Sequence, residues 1–217
     1  MNDVKTKEFC RVVRHPVLQH KLCQLRNRKT TPWMFRDLME DVSQLLAYEV
    51  ARDLNLKAVD VETPMRETKG YKIADKLVLV AIMRAGTGML NGMQRLMSFA
   101  GVGHIGIYRD KFVKSTVEYY FRLPKDVEGA KVILLDPMLA TGDTAVASIT
   151  RLKEFNVSEI KFVTLIASRP GLEKVHEWHP DVEIYTLSVE PELDENGYIL
   201  PGIGDAGDRL YGTGDDV

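Results

Sequence analysis

The stretch Val132-Ile133-Leu134-Leu135-Asp136-Pro137-Met138-Leu139-Ala140-Thr141-Gly142-Asp143-Thr144 sets one acid between four apolar residues and a short loop of small and hydroxyl-bearing residues. An apolar-periodic segment begins near Ala145. That order reads as a buried strand, a tight turn and a helix N-terminus. Such a turn points several backbone N–H groups, and the positive end of a helix dipole, at one spot, which suits a phosphate. Asp136, at the strand end, can accept hydrogen bonds from sugar hydroxyls beside that phosphate. Acid and cradle together imply a ribose phosphate ligand. A plain strand-to-helix turn has the same shape, and any α/β protein holds several, so the loop needs company before it carries a function.

Three further clusters supply it. Met83-Arg84-Ala85-Gly86-Thr87-Gly88 follows an apolar run, where Gly86 and Gly88 allow close backbone approach and Arg84 brings a fork-shaped cation suited to phosphate oxygens. Tyr108-Arg109-Asp110-Lys111 opens a polar hairpin that fits a cationic flap over a polyphosphate, though taken alone it reads better as an ordinary solvated hairpin. The run from Gly197 to Arg209 is dense in Gly and bears Asp205 and Asp208, so its backbone donors and acceptors could read the edge of a small planar base. Tyr198, Ile199, Leu200, Pro201 and Ile203 make it too apolar for a free tail.

Other chemistries fit poorly. His176 and His179 lie three apart, but with no third ligand in sight a zinc site is not expected. His15, His20 and His104 stand alone, and Trp33 and Trp178 are expected as packing residues. The chain has no Gly-x-x-x-x-Gly-Lys-Ser/Thr loop and no Gly-x-Ser-x-Gly elbow, which argues against a P-loop nucleotidase and a common hydrolase.

The elements that must position these groups alternate along the chain. Pro32 to about Asp53 has a helical apolar stripe, with Thr31 placed to cap it and Pro32 in its first position. Leu77–Met83 reads as a buried strand, Gly88–Phe99 as a helix, His104–Tyr108 as a short strand and Val117–Leu123 as an exposed hairpin strand. Val132–Leu135 reads as the central strand, followed by helix Ala145–Phe155, strand Ile160–Ala167, helix Gly171–Trp178 and strand Val182–Val189. Continuous apolar strands separated by helices predict an α/β fold with a parallel sheet covered on both faces and ligands at the carboxyl ends of its strands. Pro191–Val217 breaks the rhythm and is expected as irregular loop held by tertiary contacts, or as disorder.

Bulk properties agree with one such domain. A chain of 217 residues, 45% hydrophobic and 28% charged, can bury a core. A net charge of −2 gives no electrostatic case for nucleic acid. The longest apolar run is far too short for a bilayer, and the charged stretch Met1–Arg14, which lacks an apolar core, is not expected to be a secretion signal. Cys10 and Cys23 read as free thiols in a reducing cytosol, which points to the cytoplasm.

Three of these motifs resemble the uracil phosphoribosyltransferases, within the type I phosphoribosyltransferases. Asp136-Pro137-Met138-Leu139-Ala140-Thr141-Gly142 is similar to the family's phosphoribosyl diphosphate (PRPP) loop, Arg84-Ala85-Gly86 to its diphosphate loop, and Gly197–Asp208 to the C-terminal hood that receives uracil. Their order and spacing match from about Val13 to Gly212. The resemblance implies a type I phosphoribosyltransferase fold: a parallel sheet flanked by helices, with a flexible hairpin and the hood. One domain would span 1–217, comprising an N-terminal helical segment (1–55), a core sheet (77–189) and the hood (190–217).

It also implies a reaction: uracil and PRPP give UMP and diphosphate, with magnesium arriving on the substrate and no metal ligands of the chain's own. PRPP would meet Arg84, Ala85, Gly86, Arg109, the loop Asp136, Pro137, Met138, Leu139, Ala140, Thr141, Gly142, Asp143 and Thr144, and Asp205. Uracil would meet Ile199, Gly204, Asp205 and Ala206. Asp136 would hold the ribose hydroxyls, and it, Arg109 and Asp205 carry the catalytic assignment. Closure of the hairpin from about Arg109 to Phe121 would exclude water. No His stands in a motif to take the uracil N1 proton, and that base stays unassigned.

The family further implies a homo-oligomer, dimer or tetramer, and some relatives answer to a nucleotide such as GTP. Two departures stand out. The family usually has Gly-Gly-Ser after the loop threonine, where this chain has Gly142-Asp143-Thr144; Asp143 is expected to point away and to tune PRPP affinity. Ser168-Arg169-Pro170 stands where small apolar residues are expected. Two alternatives are a phosphoribosyltransferase for a purine or orotate, which lacks the hood, and a non-catalytic regulator that binds uracil nucleotides on the same fold.

Overall fold

Leu77–Met83 is apolar at every position because both of its faces are covered. Leu77, Leu79 and Ala81 join one buried cluster, while Val78, Val80 and Ile82 join a second on the opposite side. Ile133 and Leu135 divide from Val132 and Leu134 in the same way. A strand between two helical layers has no polar face to show.

The computed structural model describes residues 9–109 and 116–214. In chain order the elements are β1 (Cys10–Val12), α1 (Pro16–Arg26), α2 (Pro32–Val50), β2 (Leu56–Glu62), β3 (Glu67–Ile73), β4 (Leu77–Met83) and α3 (Thr87–Leu96). Then come β5 (Gly101–Arg109), β6 (Thr116–Arg122), β7 (Lys131–Leu135), β8 (Met138–Leu139), α4 (Asp143–Lys153), β9 (Glu159–Val163) and β10 (Ile166–Ser168). The last are α5 (Arg169–Trp178), β11 (Glu183–Thr186), β12 (Ser188–Glu190), β13 (Glu192–Leu193), β14 (Ile199–Leu200) and α6 (Ala206–Tyr211). No described helix is long and apolar enough to cross a membrane.

The main sheet runs β1-β11-β9-β7-β4-β5-β6. Its pairs are parallel except β5 with β6, so the expected parallel sheet is a mixed one with an antiparallel edge. Strand β7 is the middle of the seven, as its apolar run predicts. From β4 the chain moves outward through β5 and β6, then returns to β4's other side as β7 and moves outward the other way. The crevice at the carboxyl ends of β4 and β7 is therefore the switch point where α/β sheets bind ligands. Arg84 follows β4 and Asp136 follows β7.

Three strands bend at that edge. Ile160–Ala167 and Val182–Val189, expected as single strands, each break in two. Their second halves, β10 and β12, pair with β8 in a separate three-stranded sheet of order β12-β10-β8. The break is carried by cross-bonds: the Leu165 and Ile166 N–H groups donate to the Pro137 carbonyl and the Leu187 N–H to that of Leu165. Ile160–Ser168 is buried on both sides of its bend, so hydrophobicity gives no mark of it there.

Other differences have plain causes. Strand β1 and helix α1 fall in the polar N-terminal part and were not expected as elements; β1 is held by parallel pairing to β11 and α1 by burial of Leu18, Leu22 and Leu25. The hairpin β2–β3 is largely exposed, so it shows little alternation. Thr31 sits at the N-cap of α2 with Pro32 next, but its side chain makes no capping bond. Trp33 and Trp178 are not packing residues: they are 59% and 62% exposed.

Candidate active site

The loop after β7 is built from backbone. The Asp136 N–H donates to the Val163 carbonyl, and β8 is pinned in parallel register to β10. Gly142 has φ +84°, in the left-handed region that favours glycine, and serves as the N-cap of α4; the Val146 N–H donates to its carbonyl. The Ala140–Thr144 segment thereby delivers its N–H groups to the start of α4.

Helix α5 supports this loop from behind. Ser168 accepts from the Gly171 N–H at 2.9 Å to cap α5, and its hydroxyl donates to the Ala140 carbonyl at 2.5 Å. A Cβ on Gly171 would run into that same Ala140 oxygen. Ser168, a departure from the family pattern, thus ties helix to loop, whereas Arg169 is exposed in the first turn of α5.

Asp143 is the first residue of α4, where a carboxylate suits the helix dipole. It accepts from the Thr141 hydroxyl at 2.9 Å and forms an ion pair with Lys174 of α5. Nothing in the sequence spacing marked Lys174 as its partner, because the two meet across helices.

Asp136 is half-buried by accessible surface, yet its carboxyl lies deep in the crevice. Burial raises its pKa to about 7, the Met138 N–H pulls the other way, and the charge of Asp205 adds to the rise. Asp205 is exposed and caps α6 by accepting from the Asp208 N–H at 2.9 Å. The two acids that the sequence singled out, 69 positions apart by their numbering, are thus electrostatic neighbours.

Arg84 faces the hood. Its guanidinium donates to Asp208 at 3.1 Å and to the Thr213 hydroxyl at 3.4 Å, and stands over the Tyr211 ring. Asp208, Tyr211 and Thr213 had no assigned role in the sequence; an exposed ion pair leaves no pattern to find. Gly86 also packs on the sheet: the space a Cβ would need is filled by the Leu135 and Ile82 backbone.

The hood is more ordered than the irregular loop expected from Pro191–Val217. Strands β13 and β14 pair around Asp194, whose carboxylate accepts from the Asn196 and Tyr198 N–H groups. Ile199 is buried, and Gly202 and Gly204 turn the chain into α6. Short elements and glycine turns hide such order from periodicity. Arginines bolt it down: Arg26 donates to the Gly202 carbonyl at 2.9 Å, Arg36 to Leu210 at 2.7 Å, and Arg209 to the carbonyls of Leu25, Asn27 and Ile203. A cleft of about 480 Å³ lies beside it, lined among others by Arg26, Arg28, Gly204, Asp205 and Arg209.

The structure therefore brings Arg84, Asp136, the 137–144 loop and the hood to one edge of the sheet. Arg109 ends β5 there by its backbone, while its side chain and hairpin residues 110–115 lie outside the described residues. His176 stacks on Phe9, and His179 is close to the Thr150 hydroxyl and the Val146 carbonyl, so both rings serve packing. Among the described residues no group of three or more His, Cys, Asp or Glu side chains gathers. Asp136 and Asp205 offer hard oxygen donors of the kind magnesium takes when it stays mainly on phosphates. Cys10 and Cys23 are free, and burial pushes the Cys10 thiol up to about 11.

A family model described as uracil phosphoribosyltransferase matches residues 12–213. Curated relatives include the uracil phosphoribosyltransferases of Rhodococcus jostii, 52% identical over 93% of this chain and 97% of theirs, and of Myxococcus xanthus, 51% identical over 94% and 97%. Among solved structures, the AQ2163 protein of Aquifex aeolicus superposes with a TM-score of 0.91 at 33% identity, covering 95% of this chain and 99% of that one. A hypoxanthine phosphoribosyltransferase from Staphylococcus aureus reaches 0.51 at 13% identity over 88% of this chain and 94% of its own, a likeness of fold alone.

Proposed function

The chain belongs to the uracil phosphoribosyltransferase family, and from that premise we propose that it transfers the phosphoribosyl group of PRPP to uracil, yielding UMP and diphosphate. One observation carries the reading: the crevice between the ends of β4 and β7 holds a cation, an acid and a helix N-terminus under a glycine-rich hood. A ribose carrying phosphate at one end and diphosphate at the other needs those groups in that order.

Cleavage at C1 builds positive charge on the sugar, so the work is placement, charge neutralisation and exclusion of water. The 140–144 N–H groups hold the 5′-phosphate. Asp136 accepts from the ribose hydroxyls, and Arg84 and Arg109 face the diphosphate. Ile199 and Gly204-Asp205-Ala206 read uracil through backbone groups. Asp136 and Asp205 would be the carboxylates nearest a magnesium ion carried in on the diphosphate, and that ion would supply charge neutralisation on the leaving group.

Exposed apolar residues on α2 and on the β2–β3 hairpin, Met34, Tyr48, Leu56, Met65 and Tyr71 among them, support a homo-oligomer of at least two chains. A GTP effector rests on the resemblance alone, and a cytoplasmic location on the two free thiols.

The test is diphosphate release by the purified protein with PRPP and magnesium, adding uracil, cytosine, orotate, hypoxanthine or adenine separately. Release with uracil alone, with UMP formed, is the expected result. Release with a purine or orotate instead would overturn the assignment of the hood. Replacing Arg109 by Ala is expected to lower turnover more than uracil binding.

A further inference from the structure

An acid in a phosphate cradle needs a reason to be tolerated. Asp143 opens α4 inside the segment assigned to the 5′-phosphate, and at that distance a carboxylate repels a phosphate that carries nearly two negative charges. Lys174 and Thr141 restrain it. Lys174 pairs with one carboxylate oxygen, and the Thr141 hydroxyl donates to the other at 2.9 Å. Lys174 lies one turn after Gly171, the residue packed against the Ala140 carbonyl, so the cation comes from the helix that supports the loop from behind. A Cβ on Gly142 would stand 3.2 Å from the Lys174 Cβ, so its side chain is rooted directly against the loop.

We propose that Lys174 is a positioning residue of the phosphate loop: its ammonium neutralises Asp143 and draws that carboxylate toward α5, leaving the loop's N–H groups to the 5′-phosphate. The proposal rests on the assignment of this loop to PRPP. Its logic is a charge cycle. Lys174→Met removes the cation that α5 brings to the acid beside the phosphate. Asp143→Asn in that background removes the acid and with it the need for the lysine. A lysine that bound phosphate directly would behave differently, because its loss could not be repaired by removing Asp143.

The experiment measures binding of ribose 5-phosphate and of inorganic diphosphate by calorimetry, with Michaelis constants for PRPP and uracil, in wild type, Lys174→Met, Asp143→Asn and the double variant. Lys174→Met is expected to weaken ribose 5-phosphate and PRPP about tenfold, with the diphosphate and uracil constants unchanged. The double variant is expected to return within about threefold of wild type. Equal weakening in the single and double variants, or no change in Lys174→Met, would overturn the proposal. Binding needs no turnover: a wild type that binds ribose 5-phosphate but forms no UMP would sink the proposed function and leave the charge pair standing.

Discussion

The phosphate loop and the hood face each other across one crevice but are held by different means. The loop is backbone on backbone: β8 is laddered to β10, the Gly142 carbonyl starts α4, and α5 abuts Ala140 with no room for a methyl group. The hood hangs from long side chains, with Arg26, Arg36 and Arg209 reaching carbonyls far away in the chain. Close backbone packing stores shape rigidly, while arginine clamps hold a position that can be adjusted. The phosphate end is thus built in advance, and the base end depends on the N-terminal helices.

Changes that break one region and spare the other test this contrast. The largest effect is expected from Gly171→Ala, whose methyl must displace the Ala140 carbonyl. A shift of about 1 Å in a positioning element costs on the order of 10²-fold. That loss should fall on kcat/KM for PRPP, with uracil affinity changed far less. Equal losses for both substrates would mean that loop and hood move as one body.

Arg209→Met comes next. It removes the donor to three backbone carbonyls and should cost about 2–3 kcal/mol in urea unfolding. Because those bonds place Ile203 and the turn before Asp205, the Michaelis constant for uracil should rise about tenfold while ribose 5-phosphate binding stays near wild type. A variant as unstable as expected but normal for uracil would separate the clamp from base recognition.

Asp136 joins the two regions through Asp205, and its pH dependence has a definite sign. In the proposed role ribose hydroxyls donate to the carboxylate form, so kcat/KM for PRPP should fall as pH drops below about 7, approaching tenfold per unit. Asp136→Asn should flatten that limb. Stability runs the other way. The folded value of about 7 exceeds the unfolded value of about 4, so between those limits the native state keeps a proton that the unfolded chain has released. Stability is therefore lost as pH rises through that window. Urea unfolding at several pH values should show this slope in wild type and not in Asp136→Asn. Removing Asp205 should lower the midpoint only slightly, since burial is the main cause.

The same contrast explains what was legible in the sequence. Val132–Thr144 and Leu77–Gly88 could be read because backbone-built sites need apolar strands, glycines and a cap in a short span, and such spans have patterns. The pairing of Asp136 with Asp205 followed only from resemblance, as burial and distance have no local sign. Lys174, Arg26 and Arg36 were missed for one physical reason: a long side chain leaving a helix looks the same whether it ends in water or on a distant carbonyl. Strands β9 and β10 merged into one because both sides of the bend are buried.

The smallest expected effect concerns the charged tie between Arg84 and the hood. Arg84 donates to Asp208 and Thr213, and Thr213 in turn donates to Asp208 at 2.6 Å, which together with Arg84 holds that carboxyl below its ordinary range. The pair is exposed, so it is weak, on the order of 0.2–1 kcal/mol. Under the proposed function, Arg84 faces the diphosphate of PRPP from this position. Asp208→Asn keeps the N–H that bonds Asp205 and loosens only the charge. If the tie competes with substrate, the Michaelis constant for PRPP should fall about twofold, and its salt dependence should weaken. If it instead holds Arg84 ready, that constant should rise. The direction of a small change decides whether the hood restrains the diphosphate site or completes it.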